Sequence, residues 1–145
     1  MPYLCKYLEE LVDVLTEYSR GPLAPLEKEL ILSLKSPGGG VSEFGLCYSY
    51  LQTLIRNGWK LTTCIDQIGA SGGYLLACAG SRIVCTQFAI IGSIGVYGLA
   101  YNYSNLLKKA GLEAVTLRHG KYKNSLSPFE KFKPDSLEHE LKKFE

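Results

Sequence analysis

Apolar residues near the start of the chain recur at steps of three and four positions, which is the spacing of one face of an α-helix. These positions are Leu4, Leu8, Leu11, Leu15 and Tyr18. The pattern predicts an amphipathic helix over residues 3–18. Gly21-Pro22 and Pro25 follow, and we expect them to end the helix because proline cannot continue one.

Two short apolar runs predict buried strands on either side of a second helix. The runs are Glu29–Leu34 (ELILSL) and Leu61–Ile65 (LTTCI), and the second is rich in β-branched residues. Between them, helical spacing from Phe44 to Ile55 predicts a helix that Asn57-Gly58 should end. The turn Ser36-Pro37-Gly38-Gly39-Gly40 should end the first strand.

Shorter elements are predicted along the rest of the chain. A helix over residues 72–79 should end at Gly80, and Ser104 should cap a helix that Gly111 ends. Further strands are predicted at residues 83–85, 88–91 and 115–117, and the apolar stripe of a C-terminal helix comprises Leu137, Leu141 and Phe144. Because strands alternate with helices, we expect an α/β fold with a mostly parallel sheet and flanking helices.

The length and composition are those of one ordinary globular domain over residues 1–145. The chain is 46% hydrophobic and 21% charged, with a net charge of +2. This small charge gives no signal of a nucleic-acid partner. Five cysteines, an odd number with no C-x-x-C pair, predict buried free thiols in a reducing compartment rather than disulfides or a zinc site.

No feature of the sequence predicts membrane insertion. No apolar run approaches the roughly 18–20 residues that span a bilayer. The N-terminal MPYLCKYLEELVDVL carries acidic residues, so it does not resemble a signal peptide. We therefore expect a protein that is cytoplasmic or peripheral to the cytoplasmic membrane, with no transmembrane segment or signal peptide in this chain.

One serine is surrounded in the sequence by glycines, which carry no side chain. Ser71 lies among Gly69, Gly72 and Gly73, after a predicted strand and at the start of a predicted helix. The first N–H groups of a helix have no partner within it, so the Gly72 N–H could hold a developing oxyanion. Glycines also let a substrate carbonyl approach the backbone closely.

The turn at residues 36–40 also follows a strand, and the carboxyl ends of parallel strands meet at one edge of a sheet. Gly38 or Gly39 could therefore supply a second oxyanion N–H to the same crevice as Ser71. The alternative is that both segments are only tight strand-to-helix turns.

The proton acceptor for Ser71 is less evident. Gly69-Ala70-Ser71-Gly72-Gly73 matches the G-x-S-x-G motif of α/β-hydrolases, which need a downstream acid and histidine. The histidines are His119 and His139, and Asp135 precedes His139 by one helical turn, so this pair should share one short helix. A desolvated lysine can serve instead, and the segment 118–124 (RHGKYKN) offers two.

Four sequence blocks resemble the signal peptide peptidase A / protease IV family of serine peptidases, which includes a related inner-membrane peptidase. The blocks, between about Leu32 and Lys131, are Ser36-Pro37-Gly38-Gly39, Ala70-Ser71-Gly72-Gly73-Tyr74, Gly92-Ser93-Ile94-Gly95-Val96 and Gly120-Lys121-Tyr122-Lys123. The resemblance implies a ClpP/crotonase-type fold and a Ser–Lys dyad. It implies Ser71 as nucleophile, Lys123 rather than Lys121 as general base, and Ser93 as the residue that orients the lysine. It implies oxyanion positions at Gly38 or Gly39 and at Gly72, and gives His119 no counterpart.

The resemblance implies an endopeptidase without metal or cofactor that cleaves apolar peptides, such as signal peptides or membrane-protein fragments. Its partners would be such peptides, unfolded membrane proteins and further copies of itself in a homo-oligomer. Compared with the family, we expect this chain to lack the usual N-terminal strand, the membrane anchor and the C-terminal helices, as a shortened member or fragment would. Two alternatives remain: a catalytically incomplete homologue that acts as an assembly partner, and a crotonase-like acyl-CoA enzyme.

Overall fold

The computed structural model describes residues 2–22, 27–120 and 123–144. The chain divides into two compact units, Met1–Gly95 and Val96–Glu145. Two compact units can still form one domain, so the single domain expected from the sequence stays a prediction.

A four-stranded parallel sheet forms the centre of the first unit. Its strands are β1 (Glu29–Ser36), β2 (Lys60–Ala70), β3 (Arg82–Cys85) and β4 (Ile90–Gly92). The central strand is β2, which pairs with β1 on one side and with β3 and then β4 on the other, in parallel throughout. The sheet confirms the predicted α/β class.

Three helices accompany this sheet: α1 (Pro2–Arg20), α2 (Val41–Arg56) and α3 (Gly72–Ala77). The apolar stripe predicted for α2 is buried and comprises Phe44, Cys47, Leu51 and Leu54. After α2, Gly58 adopts a φ of +89°, a left-handed conformation that glycine tolerates and that ends helices. All three helices occur where the sequence pattern predicts them.

The main core lies between the helices and one face of the sheet. Leu61, Thr63 and Ile65 alternate along β2 toward the helices and are buried, as strand geometry requires. Thr63 donates its hydroxyl hydrogen to the Ala77 carbonyl of α3 over 3.4 Å, so this buried polar group is satisfied. The opposite face is open, and Ile31 of β1 is 71% exposed there.

Two strands extend further than their apolar runs predict. β2 continues beyond Ile65 to Ala70 because its last residues pair with β4, which occupies Ile90–Gly92 rather than residues 88–91. β1 continues to Ser36, with a register irregularity after Leu34. These extensions bring both strands to the turns that carry the candidate chemistry.

The second unit contains α4 (Ser104–Lys109), α5 (Pro134–Leu141) and a 3₁₀ turn at Lys142–Phe144. The predicted cap Ser104 is wrong, because Tyr103 is the N-cap residue. The Asn102 side chain instead accepts hydrogen bonds from the Ser104 N–H (3.1 Å) and hydroxyl (2.5 Å). Gly111, at a φ of +70°, follows α4 as predicted.

The strand predicted at residues 115–117 is absent from the described structure, and the prediction is wrong. Val115 and Leu117 are both exposed, and β-branched residues favour a strand only where a neighbouring strand pairs with it.

In the same unit, the Arg118 guanidinium lowers the pKa of the Glu130 carboxyl by a hydrogen bond. At pH values above the ordinary glutamate pKa, this pair stabilises the second unit. The stabilisation is lost as the pH falls through the lowered pKa of Glu130.

The cysteine prediction is partly correct. No disulfide joins the described Cys47, Cys64, Cys78 and Cys85, but of these only Cys47 is buried, and Cys78 and Cys85 are exposed. None of the described helices combines the length and apolar character needed to cross a membrane.

We predict that Leu51→Ala lowers the free energy of unfolding by about 2–5 kcal/mol, because Leu51 is 1% exposed and its loss leaves a core cavity. Ile31→Ala is the matched control on the open face of the sheet and should cost much less. Urea unfolding followed by circular dichroism measures both, and equal losses would contradict this placement of the core.

Candidate active site

Ser71 occupies a strained turn between β2 and α3. Its φ of 52° and ψ of −123° lie in a region that residues with a side chain rarely adopt, at a cost on the order of 1–3 kcal/mol. Its N–H donates to the Gly92 carbonyl over 2.8 Å, and its carbonyl accepts from the Leu75 N–H over 3.0 Å. The half-buried Ser71 hydroxyl does not cap α3. The backbone is therefore fixed while the hydroxyl is not used in the cap.

The glycine turn, defined here as Pro37–Gly40, lies directly against Ser71. Gly38 has a φ of +98°, and a Cβ placed on it would lie 2.6 Å from the Ser71 Cβ and 2.9 Å from the Gly72 nitrogen. No side chain fits in this space. The two strand-to-helix turns thus meet at one sheet edge, as the parallel topology predicts.

Two further glycines let the surrounding elements approach the Ser71 turn. A Cβ on Gly72 would lie 2.5 Å from the ring of Phe44, and one on Gly73 would lie 2.5 Å from the Ser36 carbonyl oxygen. Phe44 of α2 is buried, so its ring packs beneath the start of α3. The packing of these neighbours therefore requires glycine at both positions that follow Ser71.

Side chains hold both ends of the glycine turn. The Gly38 N–H donates to the Ser36 hydroxyl over 3.2 Å, and the Glu43 carboxylate lies against Gly40 at the start of α2. From the sequence, Ser36 is predicted in the turn and Phe44 in the stripe of the helix, but none of Ser36, Glu43 and Phe44 is predicted to shape the site. The sequence does carry one indication: Glu43 lies three residues after Gly40, and a glutamate at this position is typical of the first turn of a helix.

Ser93 begins the loop next to Ser71. In the sheet register Ala70 pairs with Gly92, so Ser71 and Ser93 are the residues that follow this pair on neighbouring strands. Ser93 also has a positive φ, 55°, and its side chain is exposed. Among the described residues, Asn124 is the other non-glycine with a positive φ.

Lys123 belongs to the second unit and lies in a turn that is held by hydrogen bonds. Its N–H donates to the Gly120 carbonyl over 3.3 Å, and Arg118 donates to the Asn124 carbonyl over 3.3 Å. The Lys123 side chain is exposed, whereas Lys121 lies outside the described residues. The pairing of Lys123 with Ser71 stays a prediction.

The remaining titratable groups considered from the sequence belong to other segments of the chain. Asp135 and His139 share α5 of the second unit, as predicted, and His119 is exposed. At the end of α3, a hydrogen bond with the side chain of the C-cap residue Cys78 raises the pKa of the Tyr74 phenol. This phenol is therefore a weaker acid than a free tyrosine.

The decisive observation is a match of residues 54–143 to the family described as peptidase family S49. The chain belongs to peptidase family S49. This range includes Ser71, Ser93 and Lys123, and begins within α2. The S49 family is ClpP-like in fold, which agrees with the parallel sheet and flanking helices of the first unit.

Several curated relatives carry protease names. A probable protease SohB from Haemophilus influenzae is 41% identical over 105 residues, covering 72% of this chain and 30% of that protein. A probable protease SohB from Buchnera aphidicola is 41% identical over 124 residues, covering 85% and 37%. A putative signal peptide peptidase SppA from Enterococcus faecium is 32% identical over 114 residues, covering 79% and 33%. The chain spans about a third of the length of these relatives.

We predict that Gly38→Ala destabilises the protein by about 1–3 kcal/mol, because alanine both disfavours the positive φ and meets Ser71. Gly45→Ala is the matched control: Gly45 lies inside α2 with open space beside it and should become more stable by roughly 0.5–1 kcal/mol. Thermal unfolding distinguishes the two, and a neutral Gly38→Ala would contradict the close contact.

Proposed function

We propose that this chain carries the catalytic residues of a serine endopeptidase with a Ser71–Lys123 dyad. The observation that carries the proposal is the strained Ser71 turn, in which Gly38 lies against the serine and the hydroxyl is not used as a helix cap. Strained backbone at a serine between a strand and a helix is typical of a nucleophile. Membership of family S49 supports peptide bonds as the target.

In the proposed reaction, the Ser71 oxygen attacks the peptide carbonyl carbon while neutral Lys123 accepts the hydroxyl proton. The tetrahedral intermediate collapses when Lys123 gives that proton to the departing amine, which leaves an acyl ester on Ser71. Lys123 then takes a proton from water, the hydroxide attacks the ester, and the proton returns to Ser71 as the acid product leaves. Ser93 would orient the lysine.

The oxyanion requires two N–H groups beside Ser71. Gly72 supplies the first, as the residue after the nucleophile and the first of α3. Gly38 and Gly39 are the candidates for the second, and Gly38 already donates to Ser36. Gly39 is therefore the better donor, since using Gly38 would break an existing hydrogen bond.

We propose apolar peptides as substrates, including released signal peptides and membrane-protein fragments. The support is the name signal peptide peptidase carried by the Enterococcus faecium relative. Unfolded membrane proteins and further copies of this chain are the partners that follow from this assignment.

We predict that Ser71→Ala lowers hydrolysis of an apolar fluorogenic peptide on the order of 10⁴-fold or more, with little change in unfolding free energy. The matched control is Ser33→Ala, which removes an exposed hydroxyl from β1 and should keep wild-type activity. Labelling by a fluorophosphonate should likewise require Ser71. Full turnover by folded Ser71→Ala would exclude it as the nucleophile.

We predict that acylation requires a side chain at position 123 that can accept the Ser71 proton. Lys123→Arg should be inactive although it keeps the charge, because arginine does not give up its proton. Lys121→Ala is the control and should retain most activity. Stopped-flow acylation of the variants measures this, and an inactive Lys121→Ala beside a normal Lys123→Ala would move the base to Lys121.

We also propose that the chain self-associates through the open face of the sheet in the first unit. Exposed apolar side chains there include Ile31 of β1 and Val84 of β3, and exposed apolar sheet surface favours association. Sedimentation should detect oligomers that Ile31→Lys weakens. A stable monomer at high micromolar concentration would contradict this proposal.

A further inference from the structure

Ser36 lies between the two turns of the candidate site, although it is not one of the reacting groups. It is the last residue of β1, pairs with Gly69 of β2, and follows the register irregularity after Leu34. Such irregularities re-aim the side chains that follow them. Here the Ser36 side chain is 8% exposed and its hydroxyl accepts the Gly38 N–H.

The main chain of Ser36 contacts the other turn. Its carbonyl oxygen lies where a side chain on Gly73 would be, at 2.5 Å from the ideal Cβ position. Ser36 therefore fixes the glycine turn through its hydroxyl while its backbone packs against the second residue of α3. A displacement of either turn relative to the other must disturb this residue.

We infer that Ser36 is a positioning residue for the oxyanion-binding backbone: its hydroxyl fixes the Gly38 N–H and so orients the Gly39 N–H toward the carbonyl attacked by Ser71. This inference rests on the proposed function. A hydroxyl can accept the Gly38 N–H and still donate its own hydrogen. Without the Ser36 hydroxyl, the half-buried Gly38 N–H loses its acceptor, and the peptide group between Gly38 and Gly39 can rotate.

Loss of the hydrogen bond between Gly38 and Ser36 should destabilise the transition state more than the bound substrate. An oxyanion donor acts mainly on charge that develops during the reaction, so a misdirected Gly39 N–H lowers kcat rather than raising KM. A purely structural role for Ser36 would instead reduce stability and lower the amount of active enzyme without separating these two constants.

The experiment compares Ser36→Ala with Ser33→Ala, the exposed serine on the same strand. Amide hydrogen exchange of Gly38, followed by NMR in the full chain, should become about tenfold faster in Ser36→Ala only, since a typical hydrogen bond is lost. With active-site titration to count competent enzyme, kcat for the apolar peptide should fall roughly 10- to 100-fold with KM within about twofold.

Equal Gly38 exchange in the two variants would overturn the inference whether or not the chain cleaves peptides. Faster exchange with an unchanged kcat would also overturn it, because the hydrogen bond would then have no effect on catalysis. An inactive wild-type chain would contradict the proposed peptidase function, and the exchange comparison would still decide whether Ser36 holds Gly38.

Discussion

The close approach of Gly38 to Ser71 is the constraint on which the candidate site depends. Because β1 and β2 are parallel neighbours, their carboxyl ends reach the same sheet edge, and the two turns that follow must share that space. They can do so only where side chains are missing. The absent Cβ atoms of Gly38, Gly72 and Gly73 make room for Ser71, Phe44 and Ser36 respectively. A serine in this turn is thereby held by backbone packing rather than by its own side chain.

The strain at Ser71 persists because the surrounding elements fix the turn from several sides. Its N–H is hydrogen-bonded to Gly92 at the end of β4, and α3 starts immediately after it. The buried ring of Phe44 blocks a collapse of that helix start. Stability from the core beneath α2 therefore offsets the local cost of the strained turn, which lies at the edge of a well-packed region.

The sequence predicts the helices well and the ends of the strands poorly. The stripes of α1 and α2 are long and periodic, so local spacing is enough to locate them. The extension of β2 to Ala70 depends on pairing with β4, which no local pattern encodes. The opposite error occurs at Val115–Leu117, where a β-branched run has no strand to pair with among the described residues. At the site, Ser71 and the glycines follow from turn chemistry, whereas the hydrogen bond from Gly38 to Ser36 depends on the irregular register of β1.

The proposed dyad takes one residue from each unit, which sets a physical requirement on the proposed chemistry. The proposed nucleophile and the candidate oxyanion donors are all in the first unit, and Lys123 is in the second. A lysine becomes a base only in its neutral form, which removal of water favours, yet the Lys123 side chain is exposed in this chain. The proposed reaction therefore requires that water be excluded from Lys123. A bound apolar peptide or a second copy of the chain would exclude water there, so substrate binding or self-association would itself help to activate the base.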